Sequence, residues 1–133
     1  MRAAAWLALA AALAACDDAP AGDCAAGDDA AVACDPLFTP ELAEIQARVF
    51  TPSCAVAGGA CHAPEGRAGG LDLSSLDATR AALASRVEPG SPECSLLVQR
   101  IDATGPSVMP PGAPLPAAAR CAIRQWIHAG AAP

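Results

Sequence analysis

Cys54, Cys61, His62 and Met109 are the residues whose types could do chemistry together. Six residues separate the two cysteines, His62 follows Cys61 directly, and Met109, the one methionine besides Met1, comes 47 residues after His62. An imidazole and a thioether form a ligand pair for a borderline-to-soft transition metal, and on iron this pair favours the ferrous state and raises the potential. Pro110 and Pro111 follow Met109 and would hold its loop without needing backbone donors. Plainer uses exist for each group. Met109 could fill a gap under the proline loop, and Cys54 and Cys61 could pair as a disulfide in an oxidising compartment. Zinc held by Cys54, Cys61, His62 and a further Cys is a third option, although this spacing fits no common zinc pattern. No Ser-His-Asp order, phosphate-binding Gly-Lys loop or paired-carboxylate cluster occurs, and two histidines leave few routes to acid–base catalysis. The chain does not read as an enzyme, and no small-molecule substrate is evident.

The elements that must position these groups have little bulk to work with. Of 133 residues 36 are alanine, with two Trp, two Phe and no Tyr, so one small domain with a thin core is all the chain supports. Eight scattered Arg and no Lys make nucleic acid a poor partner. Thr39-Pro40-Glu41 reads as a helix start, and Leu42, Ile45, Val49 and Phe50 at helical spacing carry that helix to about Phe50. Residues 51–70 read as a loop, residues 71–73 as a brief extended piece, and Ser74 or Ser75 can cap a modest helix ending near Ser85. Glu88-Pro89-Gly90 marks a turn. Ser91-Pro92-Glu93 starts a helix to about Ile101, with Leu97 and Ile101 on its apolar face and Leu96 beside it. Residues 102–116, with five prolines, are irregular, and 117–129 form the last helix, burying Ile123, Trp126 and Ile127 and ending at Gly130. No alternating run is long enough for a sheet, so the class is all-α, with about four short helices joined by long loops.

At the start of the chain, Arg2 precedes an apolar run over 3–15 that is too short to span a bilayer and reads as an export signal. Leu13-Ala14-Ala15-Cys16 resembles the bacterial lipoprotein box, which implies a lipidated Cys16 and a protein anchored by acyl chains, facing the periplasm or cell exterior. Asp17 resembles an inner-membrane retention signal. Residues 16–38 carry six Asp and no base among Ala, Gly and Pro, and read as an acidic tether. From Pro36 onward seven Arg oppose eight acids, a balance of -1, so the domain over 39–133 is nearly neutral while the whole chain is at -6. Cys24 and Cys34 within the tether suggest a local disulfide. Cys94 and Cys121 could staple two helices, at about 2–4 kcal/mol for a typical bridge.

Residues 45–131 resemble the small cytochrome c domains of bacterial exported proteins, including the planctomycete type. The resemblance rests on Cys54 to His62, Gly69-Gly70-Leu71-Asp72-Leu73, Pro89-Gly90 with Ser95-Leu96-Leu97, Met109-Pro110-Pro111, and Trp126-Ile127 followed by Gly130-Ala131. It implies one covalent haem c attached through Cys54 and Cys61, with His62 as proximal and Met109 as distal iron ligand, and a role in single-electron transfer with redox protein partners. It also implies that the first and last helices cross, through Ile45, Val49 and Phe50 against Ile123, Trp126 and Ile127. The family spacing between cysteines is two residues where this chain has six; Gly58 and Gly59 would let the extra residues bulge outward. Haem would fill the thin core. Arg67, Arg80, Arg86, Arg100, Arg120 and Arg124 are candidates to pair its propionates, Arg86 and Arg100 foremost. With Cys54 and Cys61 on haem, the remaining pairs would be Cys24–Cys34 and Cys94–Cys121. His128, near a helix C-terminus, reads as solvent-facing. The alternative is a haem-free lipoprotein in which Cys54 pairs with Cys61 and a stapled, degenerate cytochrome scaffold serves as a binding module.

Overall fold

The computed structural model describes residues 29–133; the leader, Cys16 and Cys24 lie outside them. Four α-helical segments occur, α1 (Leu42–Ile45), α2 (Leu76–Leu83), α3 (Leu96–Ile101) and α4 (Ala117–His128), with short 3₁₀ turns between them and no strand among the described residues. The fold class is all-α.

The first helix begins later and ends later than its residues suggest. Glu41 donates its N–H back to the Thr39 carbonyl at 2.8 Å, which closes a local bend and moves the helix start to Leu42. Past Ile45 the chain widens into a π-helical run, Gln46–Cys54, with Pro52 inside it. Pro ends an α-ladder because its ring meets the carbonyl four residues back; widening each turn relieves that meeting. Such bulges concentrate at functional sites, and this one carries the chain as far as Cys54.

Ile45, Val49 and Phe50 share one buried cluster with Ile123, Trp126 and Ile127, and α1 contacts α4. Buried Gln46 ties this pair to the rest. Its Nε2 donates to the Leu73 carbonyl at 2.8 Å and to Thr51 Oγ1 at 3.0 Å, and its Oε1 accepts from Thr79 Oγ1 at 2.6 Å. Of the two candidate serines, Ser75 caps α2, its Oγ accepting from the Ala78 N–H, while Ser74 donates to Asp72. Ser74 gives Asp72 Oδ1 two hydrogen bonds, from its hydroxyl at 2.6 Å and its N–H at 3.0 Å, and these, aided by Arg67, hold the Asp72 carboxyl below its ordinary pKa. α3 is shorter than expected because Ser95 is extended between the 3₁₀ turn Pro92–Cys94 and Leu96. Its core face is Val98 and Ile101, not Leu97 and Ile101, and Leu96 is 41 % exposed. α4 ends as expected at Gly130, whose φ of 102° allows the Ala131 N–H to reach the Trp126 carbonyl at 2.9 Å.

The expected cysteine pairs are corrected: Cys34 is bonded to Cys121, across 87 residues of sequence. That excludes both Cys24–Cys34 and Cys94–Cys121, and Cys94 is itself disulfide-bonded. Residues 29–38 form a strap along α4, so the solvated-tether reading does not extend to them. The Leu37 N–H donates to the Ala118 carbonyl at 3.0 Å, and Gln125 Nε2 donates to the carbonyls of Val32 and Cys34. The strap also corrects His128, which is half-buried with Nε2 3.1 Å from the Asp29 carboxylate. A cross-link, hydrogen bonds to its backbone and the Asp29 contact with His128 hold this segment.

Candidate functional site

The loop after the π-helical run solves the long cysteine spacing. The His62 N–H donates to the Cys54 carbonyl at 3.0 Å, which brings Cys54 back beside Cys61 and His62 whatever lies between. The intervening residues close on themselves through a Gly59 N–H to Val56 carbonyl bond, and Gly58, at φ +72° in open space, sits in the outward bulge. Gly66 matters more than either. A Cβ there would stand 2.4 Å from the Ala60 carbonyl carbon, so only glycine lets the returning chain pass so close. The bonds Ala68 N–H to Cys61 carbonyl and Leu73 N–H to His62 carbonyl finish the loop.

Both thiols are free, not joined to each other. Cys54 is half-buried, and burial, followed by the neighbouring Cys61 sulfur, pushes its pKa up to about 11. Cys61 is exposed. The His62 ring is oriented by its Nδ1, 3.1 Å from the Ala68 carbonyl oxygen. With the proton on Nδ1, Nε2 is left as the metal-binding nitrogen.

All four residues singled out in the sequence line one cavity of about 520 Å³, within the range of small-molecule and cofactor sites. Met109 reaches it from the proline-rich segment, which is pinned to α3 by a Met109 N–H to Arg100 carbonyl bond of 2.9 Å. Phe50, Leu71, Leu73, Leu83, Leu96, Leu97, Ile101 and Leu115 supply an apolar wall. Leu96 and Leu97 therefore face the cavity while the other side of α3 faces the core. Among the described residues no Asp or Glu lines the space.

Of the six arginines considered for a carboxylate partner, Arg86 and Arg100 line the cavity. The other four are in ion pairs: Arg67 with Asp72, Arg80 with Asp77, Arg120 with Asp102, and Arg124 with Asp102 and Glu93. A smaller cavity of about 220 Å³, beside Leu42 and Trp126, has no His, Cys or Met in its wall among the described residues. Among the described residues no three His, Cys, Asp or Glu side chains are grouped as a metal site.

The residues at the larger cavity fit an iron porphyrin. An oriented imidazole and a thioether suit the metal, two free thiols suit covalent attachment, apolar side chains suit the ring, and two cations without an acidic partner among the described residues suit its carboxylates. Sequence reasoning missed Gln46, which reads as an ordinary polar helix residue, and Gly66, whose need appears only when the loop closes on Ala60.

No curated protein and no solved structure matches the chain. Residues 59–112 match the family model described as planctomycete cytochrome C. The match takes in Cys61, His62, the glycine pair at 69–70, both cavity arginines and Met109, and begins after Cys54. Cavity, donor set and family match agree over residues 59–112, where the chain is similar to planctomycete cytochrome C and the match supports a cytochrome c-like domain.

Proposed function

We propose that the protein is a monohaem c-type cytochrome that carries single electrons and is anchored as a lipoprotein on the outer side of the cytoplasmic membrane or at the cell exterior. The observation that carries this reading is the convergence of Cys54, Cys61, His62 and Met109, from two distant parts of the chain, on one apolar cavity. When bound, haem c supplies a one-electron iron couple. His62 offers Nε2, because Nδ1 is engaged by Ala68. Met109 offers a thioether, which favours the reduced metal, and the cavity's leucines limit water and raise the potential further. Cys61 and Cys54 offer thiols for thioether bonds. Arg86 and Arg100 offset the carboxylates at a site lined by no acid among the described residues.

Electron transfer rather than catalysis is the role, and the partners are redox proteins. Cytochrome c domains are generally extracytoplasmic, in keeping with the export signal and with Cys16 as the lipidated residue. Among the described residues no helix is long and apolar enough to cross a membrane, and in this reading the acyl chains do the anchoring. The test is expression in a host competent for cytochrome c maturation, followed by reduced and oxidised spectra and intact mass. A Soret band that survives denaturation and a mass increased by one haem are expected; a colourless folded protein with a Cys54–Cys61 bridge refutes the proposal.

A further inference from the structure

We propose that Arg86 is a positioning residue for His62: its guanidinium braces the turn whose carbonyl orients the imidazole. The consequence for electron transfer rests on the haem reading above, whereas the brace itself does not.

The His62 ring takes its orientation from the Ala68 carbonyl, in the short 3₁₀ turn Ala68–Gly70. Local bonds close that turn, Gly70 N–H to the Arg67 carbonyl at 2.8 Å and Ala68 N–H to the Cys61 carbonyl at 2.9 Å, but neither ties it to a helix. Arg67, Gly69 and Gly70 all have positive φ, at 42°, 64° and 71°, and two adjacent glycines have the widest choice of other conformations. Arg86 adds the tie to the helices. Its Nη2 donates to the Gly69 carbonyl at 2.9 Å, one peptide from the carbonyl that His62 uses, and its Nη1 donates to the Ala82 carbonyl at 2.7 Å in α2. The Arg86 carbonyl in turn accepts the Leu97 N–H at 3.1 Å from α3. One residue therefore locks the His62 turn to two helices. The planar fork of arginine presents its donors in a fixed relation that a lysine ammonium cannot copy. Arg67, the other cation on this loop, is committed to Asp72.

The experiment uses the full chain, haem-loaded, with ¹⁵N-labelled histidine, and compares wild type with Arg86→Ala, Arg86→Lys and Arg100→Ala. Hydrogen exchange of the His62 Nδ1–H is read by NMR, and the midpoint potential is read beside it. Arg86→Ala is expected to speed exchange by about tenfold, the scale of losing an outer-sphere partner of a metal ligand, with Arg86→Lys between it and wild type. Loss of a cavity cation lowers the potential in both Arg86→Ala and Arg100→Ala, whereas a less firmly hydrogen-bonded and so less basic imidazole raises it in Arg86→Ala alone, so the Arg86→Ala potential should lie above that of Arg100→Ala. Arg100→Ala removes the other cavity cation without touching the brace, and should leave the exchange rate unchanged. Equal exchange in wild type and both Arg86 variants overturns the proposal, as does equal acceleration by Arg100→Ala. Should Arg86→Ala fail to fold, Arg86→Lys carries the comparison. If wild type takes up no haem, the function above fails by itself. The brace is then read from the His62 tautomer in the haem-free chain: a dominant Nδ1–H form lost in the Arg86 variants supports it, and identical populations refute it.

Discussion

The Cys34–Cys121 bond allows a sharp test of what holds this small core together. Replacing Cys34 by Ala removes the cross-link at an exposed position and leaves buried Cys121 on α4 in place, so core packing is untouched. The bond closes a loop of 87 residues. On the chain-entropy relation that loop restricts the unfolded state by about 15 cal/mol/K, or about 4.6 kcal/mol at 25 °C. Whole-domain stabilities run to only about 5–15 kcal/mol, so the loss is a large share of the total. With a urea dependence of about 1–3 kcal/mol per molar for small proteins, the unfolding midpoint should fall by on the order of 2 M. Urea titrations of wild type and Cys34→Ala, followed by Trp fluorescence, measure it, and Cys34→Ala/Cys121→Ala should fall by a similar amount. Coincident curves for wild type and Cys34→Ala, or peptide mapping that joins Cys121 to Cys94, would refute the reasoning.

Met109→Ala should keep covalent haem, lower the midpoint potential and abolish the far-red sulfur-to-iron band; an unchanged spectrum rejects Met109 as a ligand. Gln46→Leu leaves the Leu73 carbonyl and the Thr79 hydroxyl without their partner and should cost on the order of 1–3 kcal/mol per buried group orphaned, read by thermal unfolding. Gly66→Ala puts a methyl into the Ala60 backbone, and the expected result is a folded protein with a sharply reduced haem yield. In haem-free protein, iodoacetamide at pH 8 should label exposed Cys61 well before Cys54. Burial holds Cys54 as a thiol until about pH 11, so its labelling should accelerate only as the pH rises toward that value. Equal rates at pH 8 would contradict the burial.

The candidate ligands were legible in the sequence because chemistry is carried by residue type: an adjacent Cys61-His62 and a lone internal Met109 need no geometry to be noticed. Cys54 was legible as a candidate but its position was not, since a spacing of six does not reveal the backbone bond from His62 that cancels it. Local rules failed where distant contacts decide. Pro52 reads as a helix stop, yet the chain continues to Cys54 by widening its turns. Acidic composition marks 16–38 as a spacer, yet residues 29–38 are fastened to α4 by a cysteine 87 positions away, and composition carries no record of such a partner. For the same reason His128, judged only by its place at a helix end, gave no hint of Asp29. The crossing of α1 and α4 was legible, because periodic Ile45, Val49, Ile123 and Ile127 have nowhere else to go.

The strap along α4 has a mechanical consequence. No residue of the strap or of α4 belongs to the wall of the large cavity, whose lining among the described residues lies between Phe50 and Leu115. A pull transmitted through the N-terminal side of the strap is taken up by a covalent bond to the closing helix and spreads into the core before it meets the ligand loops. If the protein is anchored and loaded as proposed, the mounting point and the working chamber are separate parts of the machine, and the leash could be lengthened, shortened or exchanged without retuning the metal.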